Sequence, residues 1–123
     1  MILNNNLYKI ERTDTEAMTC RVSLLRDSII YKAHFPEQPV TPGVCIVQMA
    51  GELLGKLLDC GLELAGISNA KFLTVINPDN TPGVTLSFSR INRDDAAGTV
   101  AATVAVADDS TVYSKLSLSF RIK

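Results

Sequence analysis

The 123-residue chain holds a single histidine, His34. Imidazole is the side chain whose ordinary pKa, about 6.5, lies nearest working pH, which makes His34 the first candidate for moving a proton. A lone histidine serves structure as readily as chemistry, so its setting decides. Pro36, Pro39 and Pro42 follow at regular spacing. Each restricts its predecessor to extended backbone, and Phe35 to Thr41 therefore reads as a stiff loop. Thr41-Pro42 has the form of an N-cap followed by proline at the first helical position. The backbone N–H groups at such a helix start, Gly43 among them, are arranged to hold developing negative charge. Gln48 and Glu52 come next, four positions apart and so on one helical face. The Gln48 amide can orient a substrate but cannot deliver a proton at neutral pH, whereas a carboxyl such as Glu52 can. Two structural roles compete with these. Glu52 could pair with Lys56, and Gln48 could be a hydrogen-bonder of the fold alone.

These residues need a helix to carry them, and the pattern predicts one from about Gly43 to Cys60, with Gly61 as its left-handed stop. At ~1.5 Å per residue it is ~27 Å long. Val44, Val47, Leu54 and Leu58 form one apolar stripe and Ile46, Ala50, Leu53 and Leu57 the next. Gln48, Glu52, Lys56 and Asp59 form a narrow polar strip, so other structure should surround most of the helix. Gly51 and Gly55 lower helix propensity, and close approach by another backbone is the expected return.

The rest of the chain reads mainly as strand. Ala17 to Leu25 alternates, with Met18, Cys20, Val22 and Leu24 on one face. Tyr8 to Arg12 is a short strand or lead-in, and Ser28 to Ala33 reads as extended. After a link through Gly66, Phe72 to Ile76 is apolar and Asn77 to Gly83 is a turn cluster. Val84, Leu86 and Phe88 alternate with polar residues, Arg90 to Gly98 turns the chain, and Thr99 to Ala107 and Val112 to Ile122 close it. One long helix with a run of antiparallel strands implies a single α+β domain over residues 1–123, its curved sheet wrapping the helix.

Composition narrows the function. A net charge of -1, with Lys and Arg scattered singly, argues against nucleic-acid binding. No window reaches the ~20 apolar residues of a membrane span, and the N-terminus lacks the pattern of a secretory signal, so a cytoplasmic location is expected. Cys20, Cys45 and Cys60 are odd in number and widely spaced, which fits buried or idle thiols better than a disulfide framework or a zinc site.

The stretch Ala33-His34-Phe35-Pro36-Glu37-Gln38-Pro39-Val40-Thr41-Pro42-Gly43-Val44 resembles the signature of the 3-hydroxyacyl-acyl-carrier-protein dehydratases, which have the hotdog fold. The His-Phe-Pro, Pro-Val and Pro-Gly-Val elements keep the family's spacing. The resemblance implies a lyase of fatty acid, related lipid or polyketide-type synthesis. Its substrate would be a 3-hydroxyacyl thioester on the phosphopantetheine arm of acyl carrier protein, with no metal or other cofactor. It implies a homodimer, or a higher oligomer of dimers, whose sheets join edge to edge, with histidine and acid supplied by different subunits. On this pattern His34 is the base and the Gly43 N–H the oxyanion donor, with Gln48 or Glu52 facing the leaving hydroxyl and Phe35, Pro42, Gly43 and Val44 against the substrate. The family's acidic position holds Gln48 here, and Glu52 stands where a glutamine is more usual. Ala33 and Glu37 replace glycines that flank His-Phe-Pro. The missing acid leaves room for two alternatives: a hotdog thioesterase, and a non-catalytic subunit that binds acyl chains or carrier protein beside an active partner.

Overall fold

The computed structural model describes residues Met1–Lys123. Six strands and two helices follow in the order β1 (Tyr8–Asp14), β2 (Thr19–Leu24), α1 (Ile29–Ala33), α2 (Gly43–Leu58), β3 (Leu62–Phe72), β4 (Gly83–Asp94), β5 (Thr99–Ala107) and β6 (Val112–Ile122). The strands form one antiparallel sheet in the order β1-β2-β4-β5-β6-β3. This is the α+β hotdog arrangement, with α2 lying against the inner face of the sheet. Period-two alternation decides which side chains meet the helix. Val100, Ala102, Val104 and Val106 of β5 are buried, as are Leu116, Leu118 and Phe120 of β6. Ile46, Met49, Ala50, Leu53 and Leu54 of α2 close the same core from above.

Five local expectations need correction. Ser28 to Ala33 is not extended. Ser28 caps a single turn, α1, its hydroxyl accepting from the Ile30 N–H at 3.3 Å, and Tyr31 is buried. A serine N-cap outweighs the β-branched composition of so short a segment. The long helix begins one residue later than Thr41-Pro42 suggested, with Pro42 as N-cap. The Thr41 hydroxyl is instead bonded to the Tyr31 hydroxyl at 2.8 Å inside the protein. At the far end Asp59 (φ 55), not Gly61, takes the left-handed position. Gly66 is no link but a member of β3, placed where its register with β6 shifts. β4 likewise runs through Arg90 to Asp94, and the turn tightens to the residues before Gly98 (φ 70), where the Asp94 carboxylate accepts the Ala97 N–H.

Gly51 and Gly55, inside the helix, serve different neighbours. A Cβ on Gly55 would lie 2.7 Å from the Cys60 carbonyl oxygen, so here the expected backbone approach occurs. A Cβ on Gly51 would lie 3.0 Å from the Phe120 ring, a side-chain neighbour rather than a backbone one. Nor is the helix enclosed on every side: Val44 is 75% exposed. Along that open flank runs β3, an edge strand with Leu64, Ile67 and Phe72 exposed.

Candidate functional site

The open flank of α2 forms one wall of a groove of about 1340 Å³. Gly43, Val44, Val47, Gln48, Gly51 and Glu52 line it from the helix, Leu64, Ile67 and Phe72 from β3, and Met1, Ile2 and Tyr8 from the opposite side. Helical spacing explains the first group, since positions three and four apart share a face. The edge position of β3 explains the second.

At the mouth of the groove α2 begins. Cys45 and Ile46 donate their N–H groups to the Pro42 carbonyl at 3.0 and 3.1 Å, while the Gly43 N–H has no acceptor in the chain. Unpaired amides of a first turn carry the positive end of the helix dipole. A Cβ on Gly43 would meet the Phe72 ring at 2.9 Å, so glycine lets this aromatic lie over the helix start. The preceding loop is held rigidly. Val40 N–H donates to the His34 carbonyl at 2.7 Å and Thr41 N–H to the Ile76 carbonyl at 2.9 Å.

His34 itself ends α1, with its imidazole exposed and lying edge-on to Phe35, ring centres 5.9 Å apart. No carboxylate or carbonyl of this chain orients the ring. His34, Phe35 and Pro42 are not among the residues lining the groove, so one chain gathers Gly43, Val44, Gln48 and Glu52 and leaves the histidine outside.

Glu52 has a use the sequence does not suggest. One carboxylate oxygen accepts the Leu3 N–H at 2.8 Å and the Gln48 amide at 2.9 Å; the other accepts the Asn4 N–H at 2.9 Å and the Tyr8 hydroxyl at 2.8 Å. Four donors fill the carboxylate, and no ion pair joins it to Lys56. The Gln48 amide also donates to the Met1 carbonyl. Burial pushes the Tyr8 hydroxyl well above its ordinary pKa, and donation to Glu52 pushes it further. The N-terminal segment is therefore strapped over the polar strip of the helix. This partnership is invisible in the sequence because nearly fifty residues separate its members.

None of the three thiols joins these hydrogen bonds. Cys20 is buried, which raises its pKa to about 11, and burial raises Cys45 as well; all three cysteines are free. No three His, Cys, Asp or Glu side chains come together as a metal site, and no helix is long and apolar enough to cross a membrane.

A six-stranded sheet laid on one long helix, with a loop-to-helix junction opening on a largely apolar groove, defines a hotdog-fold protein. A family profile described as ApeI-like, ApeI dehydratase, matches residues 10–113. The 3-hydroxyacyl-acyl-carrier-protein dehydratase FabZ of Chlamydia abortus is 31% identical over 124 residues, spanning 94% of this chain and 76% of its own. That of Chlamydia pneumoniae is 26% identical over 125 residues, spanning 93% and 79%. Among solved structures, the dehydratase heterocomplex ApeI:P from Xenorhabdus doucetiae has a TM-score of 0.63 at 20% identity, covering 93% of this chain and 97% of the other. A hypothetical thioesterase with coenzyme A from Streptococcus pneumoniae also has a TM-score of 0.63, at 10% identity, covering 94% and 85%. The chain belongs to the ApeI-like dehydratase family and is a dehydratase-like hotdog protein of the FabZ type.

Proposed function

We infer that this chain acts, as a single cytoplasmic domain over residues 1–123, on 3-hydroxyacyl thioesters carried by acyl carrier protein, and that two copies build each site. The observation that carries this reading is the free Gly43 N–H at the start of α2, opening on the groove directly after a His-Phe-Pro loop. Dehydration removes a proton from the carbon beside the thioester carbonyl and expels hydroxide from the next carbon as water. His34 takes the proton and, as imidazolium, returns it to the departing hydroxyl, so that water leaves. The Gly43 N–H, aligned with the helix dipole, holds the charge that develops on the thioester oxygen. With its N–H groups engaged by Met1 and Glu52, the Gln48 side chain keeps its carbonyl oxygen to accept from the hydroxyl and orient it.

A second subunit is part of the reading because His34 stands outside its own chain's groove. Pairing through the exposed edge of β3 would bring the partner's loop to that groove and cover Leu64 and Ile67. Phe35, Pro42 and Val44 then border the substrate. Purified protein should dehydrate a 3-hydroxyacyl-carrier-protein substrate, and His34→Ala should remove most of that turnover. Undiminished turnover in His34→Ala would sink the assignment.

The four-donor engagement of Glu52 favours one further reading, a subunit that binds the acyl chain while a different hotdog partner supplies the acid. The solved ApeI:P relative is described as a heterocomplex. Turnover by this chain alone, together with a homodimer on light scattering, would exclude that reading. Release of free thiol from acyl thioesters in the same assay would mark a thioesterase instead.

A further inference from the structure

Residues 1–7 do more than begin the chain. Leu3 and Leu7 are buried in the core, and the Leu7 and Asn6 N–H groups both return to the Leu3 carbonyl, at 2.7 and 2.9 Å. The Leu25 N–H donates to the Leu7 carbonyl at 2.8 Å, which fixes the segment to the end of β2. Glu52 takes the Leu3 and Asn4 amides from below, and Gln48 takes the Met1 carbonyl. A segment pinned at these points has little freedom left. Yet its first two side chains are not buried by these contacts. Met1 is 76% and Ile2 68% exposed, and both line the groove, opposite β3 and beside Gln48.

We propose that this N-terminal strap is a specificity-determining wall of the acyl groove, with Met1 and Ile2 contacting the acyl group and Glu52 the positioning residue that holds them there. The inference rests on the acyl-thioester reading above and extends it to residues outside the loop and helix. Two large apolar side chains left in water by a rigid strap gain from burial against an apolar ligand. Their size sets how much of the groove remains. Glu52 acts only through the strap: with the carboxylate replaced, the Leu3 and Asn4 amides lose their acceptor and the wall is no longer fixed. This also accounts for the exchange of amide and acid between Gln48 and Glu52. The carboxylate stands where it can reach two backbone N–H groups and the Tyr8 hydroxyl, and the amide stands where it can donate to a carbonyl.

The test uses the full chain and amide-linked butyryl-, octanoyl- and dodecanoyl-pantetheine, which resist hydrolysis, with affinities measured by calorimetry. Ile2→Trp should weaken the longest analogue relative to the shortest by roughly tenfold, and Ile2→Ala should shift the ratio the other way. Glu52→Ala should flatten discrimination between lengths and speed hydrogen exchange at the Leu3 and Asn4 amides by at least roughly tenfold. Ile2 is exposed, so its variants fold. Binding retained with length ratios within about twofold of wild type in both Ile2 variants would overturn the wall. Unchanged exchange at Leu3 and Asn4 in Glu52→Ala would overturn the clamp. If the wild-type protein binds none of the analogues, the acyl-thioester reading itself fails and the wall with it, an outcome distinct from the other two.

Discussion

Glu52→Ala should destabilise the fold by about 1–3 kcal/mol, although Glu52 is only half-buried and forms no ion pair. Two outcomes follow from removing the carboxylate, and they are alternatives rather than additive costs. If the strap stays down, the Tyr8 hydroxyl is left without a partner in a fully buried residue, at about 1–3 kcal/mol, and two backbone amides lose a charged acceptor. If the strap lifts, water satisfies the donors but Leu3, 3% exposed in the native state, comes out of the core at roughly 1.5–3 kcal/mol. The protein relaxes along whichever course costs less, and the better helix propensity of alanine returns only a few tenths of a kcal/mol. The chain has no tryptophan, so urea unfolding should be followed by far-UV circular dichroism. Several protein concentrations are needed to separate folding from subunit association. Tyr8→Phe, costly in the wild type, should cost about 1 kcal/mol less in the Glu52→Ala background, because the two residues share one hydrogen bond. Lys56→Ala should be silent. A Glu52→Ala protein within about 0.5 kcal/mol of wild type would refute the clamp as a source of stability.

Gly51 and Gly55 should answer alanine differently. Gly55→Ala places a methyl against the Cys60 carbonyl oxygen, which cannot move without unwinding the helix end, so it should destabilise by more than about 1 kcal/mol despite the propensity gained. Gly51→Ala meets the edge of the Phe120 ring, which can tilt, and should fall within about 1 kcal/mol of wild type in the same unfolding assay. Acid should act through the β5–β6 turn. The Tyr113 hydroxyl and the Ser110 and Thr111 amides hold the Asp108 carboxyl down at about 2. A depressed folded-state pKa contributes stability that is complete above the ordinary carboxylate value of about 4 and is lost as pH falls toward about 2. Asp108→Asn should therefore reduce the loss of stability across that window in acid titration; an identical acid limb would count against the assignment.

How much of this was legible in the sequence follows the range of the interactions involved. Alternation fixed β5 and β6 to the residue, Thr99–Ala107 and Val112–Ile122, because which side of a strand faces the core is written locally with a period of two. The apolar stripes of α2 were legible for the same reason with a period of 3.6. The spacing of His34, Pro36, Pro39, Pro42 and Gly43 pointed to loop, helix start and family. Short elements were less legible. The single turn of α1 depends on one Ser28 cap and on burial of Tyr31 against Thr41, and β3 runs through Gly66 because β6 lies beside it. The role of Glu52 was not legible at all. Its type and its place on the helix follow from the sequence, but its four donors come from Leu3, Asn4, Tyr8 and Gln48, and three of these reach it only when the chain folds back on itself. Sequence by itself determined which residues could move a proton, hold an oxyanion or bury a face, since those are properties of residue type and local period. Tertiary structure alone decided that the carboxylate on the helix grips the N-terminal strap and that His34 lies outside its own groove, because hydrogen bonds between distant segments are chosen by the packing of the whole chain.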